Sequence, residues 1–125
     1  MTAMTDIVCV VDAKTELGEG TLWDPQAGVL WWVDIWGKAI HRYDPATGED
    51  RIFETPAYVG CVAVRKKGGL VVTLADGFYF CDPEQGTFDN IVDPEADKPA
   101  TRFNDGKTDR QGRFWSGTVF EAPPR

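Results

Sequence analysis

The feature that most constrains this chain is a sequence pattern that returns about every 40 residues. Residues 28–34 (G-V-L-W-W-V-D) resemble residues 69–75 (G-L-V-V-T-L-A) and residues 112–118 (G-R-F-W-S-G-T), and their leading glycines lie 41 and 43 positions apart. A second marker, an Asp-Pro pair followed by glycine, recurs in residues 43–48 and 81–86 with an offset of 38. A period near 40 residues that contains several strands is typical of the blades of a β-propeller.

Each repeat reads as four short strands joined by tight turns, and no long stretch shows the 3.6-residue apolar period of a helix. We therefore predict an all-β fold, a β-propeller of about two and a half blades, with residues 1–125 as the N-terminal part of a single domain. Blade 1 covers about residues 17–56, blade 2 about residues 58–94, and a third blade starts at about residues 101–121. A β-sandwich is the alternative, but a sandwich has no reason to keep this period.

The predicted number of blades is too small for a closed ring. A propeller closes with roughly four to eight blades, so two and a half blades leave an open edge and an uncovered face. We expect such a chain to be a fragment, a truncated reading frame, or one half of an assembly that another chain completes. The matching partner prediction is self-association, or a complementing chain that covers the open edge.

Composition and the termini exclude several classes of function. The 125 residues include 20 acids and 13 bases, a formal charge of −7, and such a field repels the phosphate backbone of nucleic acids. The N-terminus has no basic start and too short an apolar run for a signal peptide, and no stretch approaches the roughly 20 apolar residues of a membrane span. The three cysteines, Cys9, Cys61 and Cys81, fit neither a zinc site nor a disulfide framework. We predict a reduced, cytoplasmic protein without nucleic-acid or membrane partners.

Polar residues occupy equivalent places in the three repeats. When the repeats are aligned on the residue that opens their first turn, Glu19, Gly60 and Asn104 fall at the same position, the start of the innermost strand. In a propeller those strand ends surround one mouth of the central channel, so a carboxylate and an amide would converge there with room beside Gly60. Carboxylate and amide oxygens suit a hard or borderline cation. Arg102 adds a cation at the same strand end.

Plainer interpretations of these residues stay open. Glu19 lies between two glycines and suits a solvated acid beside a turn, and residues 104–106 (Asn-Asp-Gly) suit a hydrogen-bonded turn. Arg102 could simply pair with an acid. His41 is the only histidine and belongs to a predicted strand away from this mouth, so a histidine-dependent relay is not expected. Trp115 occupies a strand position at which tryptophan is most often part of the core.

Three stretches of the sequence resemble the gluconolactonase family, which also contains regucalcin (senescence marker protein), luciferin-regenerating-enzyme-like proteins and sugar-acid lactonases. They are residues 17–23 (L-G-E-G-T-L-W), 31–35 (W-W-V-D-I) and 102–118 (R-F-N-D-G-K-T-D-R-Q-G-R-F-W-S-G-T), and the likeness runs from about residue 8 to residue 121. The resemblance implies a six-bladed propeller with one divalent metal ion (Ca, Zn, Mn or Mg) in its channel and a small-molecule sugar lactone as substrate.

The resemblance also implies roles for individual residues. It assigns metal binding to Glu19 and substrate contact to Arg102 and Asn104, and Glu121 is the nearest match to an acidic residue that orients substrate. The family's other two metal ligands, an asparagine and an aspartate from later blades, have no counterpart in residues 1–125. That aspartate is also the family's favoured general base, so the catalytic residue is unknown.

The function implied is metal-dependent hydrolysis of a sugar lactone to the aldonic acid, carried out by the complete propeller. Two alternatives stay open. One is a non-catalytic, calcium-binding regulatory protein of the regucalcin kind, and the other is an inactive truncated fragment.

Overall fold

The computed structural model describes residues 6–121 as strands joined by turns and loops. Among these residues there is no helix long and apolar enough to cross a membrane. The all-β class predicted from the repeat is confirmed. Ten strands follow one another along the described part of the chain: β1 (Gly18–Asp24), β2 (Val29–Asp34), β3 (Ala39–Asp44), β4 (Glu49–Glu54), β5 (Val59–Val64), β6 (Leu70–Leu74), β7 (Gly77–Asp82), β8 (Thr87–Val92), β9 (Thr101–Thr108) and β10 (Phe114–Phe120).

The strands form three antiparallel sheets in which neighbours along the chain are neighbours in space. Sheet 1 has the order β1-β2-β3-β4, sheet 2 has the order β5-β6-β7-β8, and sheet 3 is the hairpin of β9 and β10. The three sheets follow the three sequence repeats in order.

An aspartate and a glycine fix the turns that recur along the chain. In residues 24–28, 44–48 and 82–86, the backbone N–H of the closing glycine donates to the carbonyl of the opening aspartate at 2.7–2.9 Å. The three closing glycines have φ angles of +68°, +77° and +68°, a conformation that other residues adopt only at a cost. Each aspartate carboxylate also accepts an N–H inside its own turn. These contacts explain why the Asp-Pro-x-x-Gly spacing recurs.

The main core lies between sheet 1 and sheet 2. Along β2, buried Val29, Trp31 and Val33 alternate with half-buried residues, because successive side chains of a strand point to opposite faces. Full burial of one such aliphatic side chain stabilises the fold by about 1.5–3 kcal/mol. The side chains that are at most 1% exposed in this core come from both sheets: Val29, Val33, Ile35, Ile40, Val59, Leu70, Val72 and Leu74.

Sheet 3 packs against sheet 2 through β9, which contacts β5 and β6. The backbone N–H of Phe103 donates to the carbonyl of Ala75 at 3.3 Å, and the ring of Phe103 lies 4.9 Å from that of Phe78. β5 also contacts β1. The first strands of the three sheets therefore lie side by side in the order β1, β5, β9.

Large apolar side chains of sheet 1 and of sheet 3 are exposed. Trp23 and Ile52 of sheet 1 are 51% and 61% exposed, and Trp115 of sheet 3 is 59% exposed. The prediction that Trp115 belongs to the core is therefore wrong. Its indole Nε1 donates to Asp109 Oδ2 at 3.0 Å, and the guanidinium of Arg113 lies 5.6 Å from its ring centroid. Polar groups of the hairpin's own turn hold this side chain at the surface.

Candidate functional site

The backbones of β1, β5 and β9 approach one another closely at the positions aligned in the repeats. A Cβ atom built on Gly60 would lie 2.3 Å from the carbonyl oxygen of Asn104, and one built on Gly20 would lie 3.9 Å from the carbonyl oxygen of Gly60. A side chain at position 60 would therefore keep β9 away from β5. This glycine lets β5 and β9 meet at Asn104.

A hydrogen-bonded group of three side chains forms where β9 begins and β10 ends. Arg102 Nε donates to Glu121 Oε1 at 2.7 Å, and Arg102 Nη1 donates to Asn104 Oδ1 and to the carbonyl of Phe103, both at 3.3 Å. The side chains of Arg102 and Glu121 are only 10% and 18% exposed. Hydrogen bonds between ionised groups are short and strong, and partial burial protects this pair from screening by salt. The guanidinium is thus fixed in one orientation.

The register of the hairpin explains why residues 19 positions apart form this pair. Arg102 pairs with Val119 across the two strands, and Glu121 follows the end of β10 at Phe120. The backbone N–H of Glu121 then donates to the carbonyl of Ala100 at 2.8 Å, which fixes the chain beside Arg102. Glu121 is placed by the hairpin and by the loop that precedes it.

A cavity of about 230 Å³ opens beside Arg102 and Glu121. Its walls include Tyr58 and Asp76, and much of its rim comes from the loop of residues 93–101 between sheet 2 and sheet 3. This volume suits a ligand smaller than the drug-sized molecules that occupy cavities of about 300–1,000 Å³. The lining combines charged, hydroxyl and aromatic groups, which can hydrogen-bond a polyhydroxylated molecule and pack against its carbon skeleton.

Glu95 fixes the loop that borders this cavity. Its Oε2 accepts from Thr101 Oγ1 at 2.6 Å, and its Oε1 accepts from Thr118 Oγ1 at 3.1 Å, so one carboxylate binds both strands of sheet 3. The hydroxyl of Thr101, with a smaller contribution from that of Thr118, lowers the pKa of Glu95. The loop is therefore held against the strand that carries Arg102. The sequence reasoning missed Glu95, because the two threonines that reveal its role become neighbours only in the hairpin.

Glu19 lies in an irregular part of β1. The pairing of β1 with β2 shifts register between Glu19 and Leu22, Gly20 has a φ angle of +68°, and the side chain of Glu19 is exposed. Glu19 borders a different cavity of about 430 Å³, together with Trp32 and residues 11–15. Glu19 on β1 and Arg102 on β9 therefore border separate cavities, and β5 lies between the two strands.

The oxygen donors of the described residues supply only part of a metal site. Across residues 6–121 no group of three or more His, Cys, Asp or Glu side chains is arranged to hold one. The exposed carboxylate of Glu19 could supply one oxygen ligand, whereas Asn104 Oδ1 already accepts a hydrogen bond from Arg102. The described residues fit one ligand of a divalent ion and do not complete its coordination.

The structure rules out one of the plainer interpretations and bears out another. Residues 104–106 lie inside β9, so the alternative interpretation of a hydrogen-bonded turn there is wrong. Arg102 does pair with an acid, and that acid is Glu121. His41 is 3% exposed and its Nδ1 lies 2.7 Å from Asp50 Oδ2, in the interior of sheet 1.

Comparison with known proteins supports the fold and the family. The family model described as SMP-30/Gluconolactonase/LRE-like region matches residues 17–123. The chain is 35% identical over 117 residues to 6-deoxy-6-sulfogluconolactonase from Pseudomonas putida, and this match covers 94% of this chain and 40% of that protein. It is 38% identical over 113 residues to regucalcin from Xenopus laevis, and this match covers 90% of this chain and 38% of that protein. The chain thus spans about two fifths of the length of these curated relatives.

The solved structures agree with the sequence comparison. The crystal structure of a calcium-binding protein, regucalcin, from Agrobacterium tumefaciens superposes with a TM-score of 0.83 at 27% identity, over 89% of this chain and 38% of that one. The predicted β-propeller class is confirmed, and the sheets described above fit as part of its set of blades.

Proposed function

Because this chain belongs to the SMP-30/gluconolactonase/LRE-like family, we propose that it provides part of the active site of a sugar-lactone hydrolase. In this reaction water adds to the lactone carbonyl, the ring C–O bond breaks, and the ring oxygen leaves as the hydroxyl of an aldonic acid. The chain spans 40% and 38% of two curated relatives, so the proposal concerns the complete propeller. Within it, this chain binds and orients the lactone.

The observation that carries the proposal is the group formed by Arg102, Asn104 and Glu121 beside a cavity. Glu121 holds Arg102 Nε, and the carbonyl of Phe103 and the amide of Asn104 hold Nη1. Within residues 6–121, Nη2 has no hydrogen-bond acceptor, so it is left to donate to a hydroxyl or to the ring oxygen of a sugar lactone. A donor that is already positioned lowers the entropic cost of orienting the substrate.

The three side chains have different roles in this proposal. Arg102 supplies the N–H donors that contact substrate oxygens, and Glu121 orients its guanidinium. Asn104 offers its amide N–H₂ to the sugar, while its Oδ1 stays with Arg102. The walls from Tyr58 and the loop of residues 93–101 exclude bulk water from one side of the ligand.

Metal dependence is a further part of the proposal. Glu19 would contribute one carboxylate ligand to a divalent ion, and its exposure leaves the oxygens accessible. When bound, such an ion supplies Lewis-acid polarisation of the lactone carbonyl. We also place the reaction in a cytoplasmic compartment, because Cys9, Cys61 and Cys81 are free thiols in the structure.

The test is a chimera in which residues 17–121 of this chain replace the matching part of the Pseudomonas putida relative. We expect turnover of a sugar lactone, and a loss of about 100-fold in kcat/KM for Arg102→Lys, because an ammonium cannot reproduce the oriented guanidinium fork. Glu54→Gln, at an exposed position of β4, is the matched control and should retain full turnover. Equal kcat/KM for the Arg102 variant and the control would refute the substrate role of Arg102.

A second candidate function is calcium binding without catalysis. It is favoured by the relatives named regucalcin and by the solved calcium-binding protein from Agrobacterium tumefaciens. Calorimetric titration of the chimera with Ca²⁺, run beside the lactone assay, separates the two functions. Saturable binding without turnover supports the calcium-binding function, and turnover supports the hydrolase.

A further inference from the structure

We propose that a second cavity, between sheet 1 and sheet 2, binds a small phosphate or carboxylate anion. This cavity, called the far-side cavity below, measures about 490 Å³, and the turns after β1, β5 and β7 contribute to its walls. The seven residues of β1 span about 20 Å at roughly 3.3 Å per residue, so the turn after Asp24 lies well away from Glu19. The far-side cavity is thus a separate site, and it does not depend on lactone hydrolysis.

Two arginines at the far-side cavity lie over aromatic rings in cation–π contacts. Arg42 Cζ lies 5.8 Å from the ring centroid of Trp31, and Arg65 Cζ lies 4.0 Å from that of Phe80. Among residues 6–121 neither guanidinium forms an ion pair. A stacked guanidinium loses little freedom and keeps its N–H donors in the plane of the group, where they match the geometry of carboxylate and phosphate oxygens.

Lys66 adds a third positive charge to the wall of the far-side cavity. It is exposed on the turn after β5 and has no carboxylate partner within the described residues. The sequence carries 13 bases against 20 acids and is negative overall. Three cations without ion pairs around one cavity are therefore unusual for this chain. The overall negative field opposes long polyanions, whereas a small anion responds mainly to the groups it touches.

Three carboxylates also border the far-side cavity, and each is engaged elsewhere. Asp24 Oδ1 accepts the N–H groups of the turn at 3.1 and 3.2 Å, and Asp82 Oδ1 accepts the N–H of Gln85 at 3.1 Å. Glu84 binds Arg51 with both oxygens and so joins sheet 2 to sheet 1 beside the cavity. The hydrogen bond from Arg51 and, to a smaller extent, the charge of Arg42 lower the pKa of Glu84. No hydrogen bond joins Arg42 or Arg65 to these acids, so the N–H donors of both arginines stay available.

Trp31, which carries the Arg42 guanidinium over its ring, finds no acceptor for its own indole N–H in the described part of the chain. It is 8% exposed, and its buried Nε1–H has no hydrogen-bond partner among residues 6–121. Buried donors are nearly always satisfied, so an exception calls for an explanation. An acidic protein that gathers three cations without ion pairs around one cavity is arranged for a ligand rich in acceptor oxygens.

The experiment is a titration of the ¹⁵N-labelled chain with inorganic phosphate, followed by amide shifts at low salt. We expect saturable changes confined to the amides of residues 24–28, 65–70 and 82–86. Arg42→Gln and Arg65→Gln should each weaken phosphate binding by about tenfold, because each removes a charged fork. Arg110→Gln, at an exposed position in the turn between β9 and β10, is the matched control and should bind as the parent does.

Each outcome of this titration decides for or against the site. Acetate used in place of phosphate tells the two ligand chemistries apart, and saturable binding of either one at these residues supports the anion site. Shifts spread evenly over all basic positions, an absence of saturation, or equal affinity in Arg65→Gln and Arg110→Gln would overturn it. Arg65 lies in a turn outside the core, so its variant tests the site even if Arg42→Gln fails to fold.

Discussion

Replacing Gly60 with alanine should separate sheet 2 from sheet 3 and displace the residues that hold Arg102. The added Cβ would lie 2.3 Å from the carbonyl oxygen of Asn104, 2.9 Å from its carbonyl carbon and 2.8 Å from Thr73 Oγ1. Two of these atoms belong to the backbone of β9, which cannot rotate away as a side chain can. Overpacking of this kind costs about 1–3 kcal/mol. Thr73 Oγ1 also donates to the carbonyl of Asn104 at 3.3 Å, and weakening this bond brings the expected loss to about 3 kcal/mol.

Urea unfolding measures this loss, and Gly117→Ala is the matched control. A Cβ at position 117 of β10 meets nothing within 4 Å, so the free energy of unfolding should stay within about 0.5 kcal/mol of the parent. The m value should be unchanged in both variants, which would show that the difference is one of stability. Amide shifts of residues 102–105 should move in Gly60→Ala alone. A Gly60→Ala variant as stable as Gly117→Ala, with the amide of Asn104 unshifted, would refute the close approach of β5 and β9.

Three further predictions concern the buried ion pair, pH and association. Arg102→Leu should lower the free energy of unfolding by about 3 kcal/mol, because it removes the guanidinium that pairs with the largely buried carboxylate of Glu121, and thermal unfolding that shows no change would contradict this. Hydrogen bonds from Trp115 Nε1, and then from Arg113, lower the pKa of Asp109 to about 2. Because the ordinary aspartate pKa is about 3.9, the stability that Asp109 contributes is present above that pH and is lost as the pH falls through 2. Titration of the Trp115 indole resonance measures this pKa, and a midpoint near 4 would contradict the prediction. Exposed apolar residues such as Trp23 and Trp115 should make the chain self-associate, and sedimentation that shows a monomer at all concentrations would disprove this.

The architecture could be predicted because its turns are fixed by local chemistry. An aspartate that accepts N–H groups within its own turn and a closing glycine with positive φ need no information from distant residues. Once these turns are known, the strands between them follow. The same chemistry recurs at Asp109 and Gly112, where it sets the register of sheet 3.

The candidate site was predictable only as a set of residue types. The family resemblance pointed to Arg102, Asn104 and Glu121, but their hydrogen bonds depend on the register of β9 and β10. Glu95 could not be identified, since its partners Thr101 and Thr118 lie 17 residues apart in sequence and become neighbours only in the hairpin. Tertiary pairing decides these contacts, and composition and spacing do not encode it.

The far-side cavity and the exposure of Trp115 likewise could not be predicted from the sequence alone. Lys66 looks like part of a solvated turn in the sequence, and its significance comes from Arg42, which belongs to another sheet. Trp115 follows the apolar strand pattern, yet a hydrogen bond to Asp109 holds it at the surface. Patterning predicts which face of a strand is apolar, and the neighbouring sheet decides whether that face is covered.

The central claim is that β1 and β9 bring Glu19 and Asn104 to the same end of the molecule, on either side of Gly60. A nitroxide spin label at Glu19→Cys, in a Cys9→Ser background, measures this proximity through the broadening of backbone amide signals. Cys61 and Cys81 are buried and do not compete for the label. We predict strong broadening at Gly60 and Asn104 and little at residues 109–112. Strong broadening at residues 109–112 with an unaffected signal from Asn104 would contradict this placement of the two residues.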